Sequence, residues 1–271
     1  MYCLIKRSIV ASVILIAPTL SQAIINGTDV NSSDPLAYSV IALQTKNVAP
    51  DGTIFYSNGS AVVIGRNLIL TAGHMFYYVK DNTAASVILS VAPSWDPNGT
   101  IGEKRVYIKN AEMNPNFRMD NYGTYNDIAV AVLSENLPEP YHPLKMADKN
   151  MPAPVIGSKA LVSGYGVDIN SDNAPVTDRR LRMTHLPLMS IDATYFSASP
   201  KLWFDESVSG IRSGDSGCPA IFDINGIPTV FGVAIHHKYD SQGQALPESA
   251  FTNVVFYRDW LDQAERKLTG H

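Results

Sequence analysis

Short runs rich in β-branched and aromatic residues, each closed by turn residues, constrain this chain more than any other feature. In the first half they are Tyr38–Leu43, Ser60–Ile64, Leu68–Thr71, Ser86–Val91, Arg105–Lys109 and Ile128–Leu133. In the second half they are Ala160–Ser163, Leu181–Leu186, Ala220–Phe222, Thr229–Ile235 and Phe251–Val255. Asp51-Gly52, Asn58-Gly59, Asn98-Gly99 and Asn225-Gly226 offer turns that tolerate positive φ. About a dozen short strands at this spacing, without helical segments alternating between them, read as all-β barrels or sandwiches and exclude a βαβ architecture. One helix is expected at the end: Tyr257, Trp260, Leu261, Ala264 and Leu268 recur at helical spacing, so the apolar stripe should dock on the preceding barrel. Pro138, Pro140, Pro143, Pro152 and Pro154 make Leu137–Pro154 the natural linker between two β halves, 24–145 and 146–271.

The first 23 residues stand apart from this pattern. Lys6-Arg7 is a basic n-region, Ile9–Leu20 an apolar run broken by Pro18, and Ser21-Gln22-Ala23 ends in small residues. The run is shorter than the ~20 apolar residues that spanning requires, so the segment reads as a secretory signal with cleavage after Ala23. Cys3 leaves with it, and Cys218 is then the only thiol. An exported chain with one cysteine forms no internal disulfide, which points to a bacterial periplasmic or extracellular protein stabilised by core burial. The sequons at Asn26, Asn31, Asn58 and Asn98 are incidental on the same ground. A formal charge of −4 over the whole chain becomes more acidic when Lys6 and Arg7 are lost, so nucleic acid is not an expected partner. Once the signal is removed, neither is a membrane.

Three polar segments interrupt the apolar runs. In Ser213-Gly214-Asp215-Ser216-Gly217-Cys218-Pro219, glycines on both sides of Asp215-Ser216 allow a tight turn whose N–H groups point into one cavity. It is either a plain polar turn or a nucleophile with an oxyanion site. Leu68-Ile69-Leu70-Thr71-Ala72-Gly73-His74 is an apolar strand ending at a histidine, a structural imidazole or a general base facing a cleft. Asn126-Asp127 opens the apolar run Ile128–Leu133, and a carboxylate buried there needs a partner such as an imidazole N–H.

In the order His74, Asp127, Ser216, these segments resemble the chymotrypsin/trypsin family of serine endopeptidases. Thr71-Ala72-Gly73-His74 is similar to the family's T-A-A-H, Asp127-Ile128-Ala129 to D-I-A, and Gly214–Pro219 to G-D-S-G-G-P. Ile24-Ile25-Asn26-Gly27 resembles the family's mature N-terminus, Gly164-Tyr165-Gly166 its G-W-G, and Thr252-Asn253-Val254 through Trp260 its closing strand and helix. The resemblance implies two six-stranded antiparallel β-barrels with a C-terminal helix, and a Ser216–His74–Asp127 triad acting on a protein or peptide substrate. It implies an oxyanion hole from the N–H groups of Gly214 and Ser216, with neither metal nor cofactor. It also implies an activating pair between the Ile24 amino group and Asp215, and signal cleavage would itself free Ile24. A protease-like binding protein that kept the fold without turnover is the alternative.

The departures from the family are local. Met75 follows the histidine where the family has a cysteine, Cys218 replaces a glycine, and Ala234 or Ile235 stands where a serine supports the triad carboxylate. Cys218 reads as a small buried hydrophobe or as a redox-sensitive thiol. The resemblance puts the specificity pocket at Gly210, His236, His237 and Ser249, with an uncharged floor at Gly210. Asp205 and Glu206 would bear on it only if the local alignment slipped. His236 and His237 read as contacts for an acidic substrate side chain, as bulk that narrows the pocket, or as ordinary strand-end residues. For a metal they lack a third ligand at a compelling spacing.

Overall fold

Continuous apolar runs such as Ala129–Leu133 are buried on both faces, and strands such as Lys201–Asp205 alternate buried with part-exposed residues, so closing each sheet on itself covers the apolar side chains. The computed structural model describes residues 24, 26–79, 85–89, 94–95, 104–120, 123–166, 179–192, 199–239 and 245–270. The signal segment and Asn98-Gly99 therefore lie outside the described residues.

The first barrel consists of β1 (Val40–Val48), β2 (Ile54–Gly65), β3 (Leu68–Thr71), β4 (Ala85–Leu89), β5 (Lys104–Met113) and β6 (Ala129–Leu133). It closes in the order β6-β3-β2-β1-β4-β5, every pair antiparallel. Its strands are aliphatic and buried on both faces, with Val62, Leu70, Ile88 and Val130 on one face and Leu43 and Val87 on the other.

The second barrel consists of β7 (Lys159–Gly164), β8 (Arg182–Ile191), β9 (Lys201–Asp205), β10 (Pro219–Ile224), β11 (Ile227–Tyr239) and β12 (Ala245–Asn253). The order β8-β7-β10-β11-β12-β9 closes through an antiparallel β8–β9 pair. Thr28–Asp29 adds to the edge of β8, and Lys145–Met146 pairs in parallel with β11. Its core is aromatic: Phe204 packs edge-on to Phe251 at 4.9 Å between centroids, and Phe222 edge-on to Phe231 at 5.6 Å. Asn225 and Gly226, both at positive φ, make the two-residue β10–β11 turn.

Three expectations change in detail. Asn58-Gly59 is not a turn, because β2 runs straight through it. A Cβ at Gly59 would lie 2.8 Å from the Met75 Sδ, so the glycine gives that thioether its space. β9 was not among the expected strands, although Leu202 and Phe204 alternate inward between Lys201, Trp203 and Asp205. The C-terminal helix α1 (Arg258–Thr269) does not dock on the barrel that precedes it. Its buried Leu261 and Ala264 join the core of the first barrel beside β5 and β6, and Lys267 pairs with Glu112 on β5 at 2.7 Å.

Candidate active site

His74 and Asp127 meet because of register. Ala129 on β6 pairs with Thr71 on β3, so continuing that register sets Asp127 opposite Gly73, beside His74. After Thr71 the chain enters a 3₁₀ turn, Gly73–Phe76, which buries Met75 and Phe76 and leaves His74 at the barrel end. Before Asp127 the chain bends at Asn126 (φ 51°). That bend is held by an Asn126 N–H bond to Ser199 Oγ, an Nδ2 bond to the Asn116 carbonyl, and an Oδ1 bond from the Tyr257 hydroxyl, each 2.8 Å.

The two residues make a two-point contact. His74 Nδ1 lies 2.8 Å from Asp127 Oδ2, and the His74 backbone N–H donates to Oδ1 at 2.8 Å. The Asp127 side chain is fully buried and that of His74 is 23% exposed. Burial alone would raise the Asp127 pKa, but the His74 charge and hydrogen bonds from His74 and Thr124 hold it below the usual carboxylate range. For His74, burial disfavours the cation, while the Asp127 charge and hydrogen bond outweigh it and raise the imidazole above 6.5. Support for Asp127 that the family draws from a serine comes here from the Thr124 hydroxyl, with Thr252 Oγ1 on the Asp127 carbonyl at 2.8 Å. Thr252 opens the Thr252-Asn253-Val254 segment already noted for its resemblance, whereas Thr124 stands in no motif and no sequence signal marks it.

Ser216 lies on the turn before β10 of the second barrel, and that turn meets β2 of the first. The turn carrying it has Gly214 at φ 93° and Gly217 at φ 88°, values that favour glycine. Ser60 N–H donates to the Ser216 carbonyl at 2.8 Å, and Ser60 Oγ to the Gly214 carbonyl at 3.1 Å. A Cβ on Gly217 would sit 2.1 Å from both the Ser60 carbonyl and Thr71 Oγ1. The Ser216 turn is thus pressed onto the middle of β2 and the end of β3, the strand that leads to His74.

Asp215 points the other way, into the second barrel. Gly166 N–H donates to its Oδ1 at 2.7 Å, Arg212 N–H to its Oδ2 at 2.8 Å, and Ile24 contributes a third backbone N–H. Cβ atoms on Gly164 and Gly166 would meet its oxygens at 2.4 and 2.3 Å, which explains Gly-Tyr-Gly there. Burial, with nearby Glu206 adding repulsion, lifts the Asp215 carboxyl to about 6 in spite of these donors. Cys218 packs in the second-barrel core, where burial first and then the Asp215 and Glu206 charges push its thiol up; it behaves as the small hydrophobe.

The floor residue needs correcting. Gly210 was expected to leave an uncharged space, but a Cβ there would lie 2.4 Å from the Glu206 carboxyl carbon, so Glu206 fills it. Ser249 is buried. His236 is turned to the first barrel, its Nδ1 3.4 Å from Thr124 Oγ1 and its ring edge-on to Trp203. The backbone of His237 pairs with Ser249, while its side chain lies outside the described residues.

The family model for Trypsin matches residues 43–261 of this chain. The chain belongs to the trypsin family. The trypsin fold is also shared with the scabies mite inactivated protease paralogue S-I1, whose crystal structure superposes with a TM-score of 0.64. That match has 20% sequence identity and covers 89% of this chain and 99% of that one. At this identity the likeness concerns fold, and two closed six-stranded antiparallel barrels with one terminal helix are what the trypsin-family chain has in common with it.

Proposed function

We propose that this trypsin-family chain is an exported serine endopeptidase. The observation that carries the reading is the two-point His74–Asp127 contact, which fixes the ring with Nδ1 toward the carboxylate and leaves Nε2 for the substrate side. Ser216 Oγ attacks a peptide carbonyl carbon while His74 Nε2 takes its proton. The C–N bond breaks, the amine leaves with that proton, and water then hydrolyses the acyl-enzyme by the same proton path. Asp127 stabilises the imidazolium. The Gly214 and Ser216 N–H groups receive the oxyanion, a contribution of about 2.7–4 kcal/mol per donor in comparable sites.

Activation in this reading is completed by the Ile24 amino group. Ile24 already directs its backbone N–H at Asp215, but at φ 41°, which is strained for a β-branched residue. Cleavage after Ala23 removes the restraint on that angle and converts an amide N–H into an ammonium beside a buried carboxylate. The signal peptidase would then be the activating enzyme, acting as the chain is exported to the periplasm or beyond. The test is peptide cleavage by protein that begins at Ile24: Ser216→Ala should abolish it with the fold intact, and retained wild-type cleavage would refute the nucleophile assignment.

A second reading is a binding protein without turnover, and the observation that favours it is that S-I1, which shares the fold, is an inactivated protease paralogue. Against it stand His74, Asp127 and Ser216, all of the side-chain types the chemistry requires, in the family's order.

A further inference from the structure

The segment that leads into Ser216 carries a charge pair that the triad does not use. Glu206 follows β9, anchored by its N–H to the Pro247 carbonyl at 2.7 Å. Its side chain is only 2% exposed, and both oxygens are engaged: Oε1 accepts the Ile211 N–H at 2.7 Å, and Oε2 meets Arg212 Nη1 at 3.3 Å. The Arg212 side chain is 19% exposed, and its Nη1 also donates to the Ile211 carbonyl at 2.5 Å. Of the pair, then, the cation is the member that reaches outward, and the carboxylate lies behind it against Gly210.

Arg212 also has donor capacity left over. Its Nε–H is buried and has no hydrogen-bond partner among the described residues. Nε and Nη2 form the edge of the guanidinium that takes a carboxylate side-on, while Nη1 on the opposite edge is bonded to protein. A second buried polar atom without a partner among the described residues, Ser249 Oγ, lies on β12, where Ser249 pairs with Phe204 two positions before Glu206. Buried donors left unpaired are costly, and a ligand acceptor removes the cost.

We propose that Arg212, held in place by Glu206, selects substrates with an aspartate or glutamate side chain at the residue before the scissile bond, receiving its carboxylate on the Nε edge. This rests on the endopeptidase reading above. Glu206 is a positioning residue: it fixes the guanidinium through Nη1 and cancels part of its charge, which keeps the site from being a bare buried cation.

The test is a set of matched peptides differing only at that residue, cleaved by protein beginning at Ile24, with a fluorophosphonate adduct on Ser216 giving the active fraction. The wild type should cleave after Glu or Asp at least tenfold faster than after Lys or Arg. Arg212→Gln leaves Glu206 as the remaining charge and should shift the acidic-to-basic ratio by more than tenfold toward Lys and Arg. Glu206→Gln/Arg212→Gln should show no charge preference, and Arg212→Lys, which keeps the charge without the fork, should retain only part of it. A wild-type preference for Lys or Arg, or an unchanged ratio in labelled Arg212→Gln, overturns the inference and leaves the endopeptidase reading in place. A Ser216 that takes no adduct in the wild type overturns both.

Discussion

Two aspartates in this molecule are equally buried and have opposite chemistry. Asp127 and Asp215 are both at 0% exposure, yet the first is held below the ordinary carboxylate range and the second is lifted to about 6. Desolvation acts on both in the same direction. Each also accepts several hydrogen bonds: Asp127 from the His74 ring and backbone and from Thr124, Asp215 from the backbone of Ile24, Gly166 and Arg212. What separates them is a counter-charge. Asp127 has an imidazole that can become a cation, whereas Asp215 has neutral amide donors and the repulsion of Glu206. Backbone dipoles alone do not offset the burial of a carboxylate, and a full positive charge does. Asp127 has its counter-charge in His74, and in the function proposed above the Ile24 ammonium would supply one to Asp215.

The largest way to break this comparison is to neutralise Asp127. Asp127→Asn should lower kcat by about four orders of magnitude by freeing the imidazole tautomer. It should also move the acid limb of the pH–rate profile downward, because Asp127 is what raises His74 above 6.5. Activity in the wild type therefore rises through a midpoint above 6.5 as His74 loses its proton. A variant whose acid limb stayed in place would show that Asp127 does not set the His74 charge.

Neutralising Asp215 should depend on the N-terminus. In protein beginning at Ile24, Asp215→Asn strands a buried ammonium and should cost about 3–5 kcal/mol of stability. In protein carrying two extra residues before Ile24, the same change removes an uncompensated carboxylate and should cost little or stabilise. Denaturant unfolding of the four proteins at pH 7 measures the difference, and equal losses in both backgrounds would mean that Ile24 and Asp215 are not coupled.

A smaller effect sharpens the same point without mutation. With the amino group blocked, the folded-state pKa of Asp215, about 6, lies above its ordinary 3.8. The fold then favours the protonated form, so that contribution is complete below about pH 4 and is lost as the pH rises through about 6. The extended protein should lose about 3 kcal/mol across this window, at ~1.4 kcal/mol per pKa unit. Protein beginning at Ile24 should lose much less, and matching curves would contradict the account. Smallest of the four, Thr124→Val removes one donor from a charged acceptor. It should cost about 1.5–3 kcal/mol of stabilisation, read as roughly a tenfold to hundredfold fall in kcat at unchanged fold.

Much of this was legible in the sequence, and for unequal reasons. The short strand runs and the Asn225-Gly226 turn are local signals that pointed to all-β barrels or sandwiches, and the family resemblance supplied the two barrels. His74, Asp127 and Ser216 stand in motifs, so resemblance found them where spacing alone could not. Glu206 was obscure because its position depends on how the chain turns back after β9 toward Gly210, and no residue pattern encodes that return. Thr124 lies three residues before Asp127, outside the Asp127-Ile128-Ala129 motif, so nothing in the sequence ties its hydroxyl to that carboxylate. The site of helix docking was hidden as well: the periodicity of Trp260, Leu261, Ala264 and Leu268 defines an apolar face but not which barrel receives it.

The central claim is that Ser216 is an activated nucleophile once Ile24 carries a free amino group. The most direct measurement is the mass of the peptide containing Ser216 after brief exposure to a fluorophosphonate, compared between protein beginning at Ile24 and protein extended by two residues. The account predicts one adduct per molecule in the first and at least a tenfold slower reaction in the second. An unmodified Ser216 in protein that begins at Ile24 would contradict it.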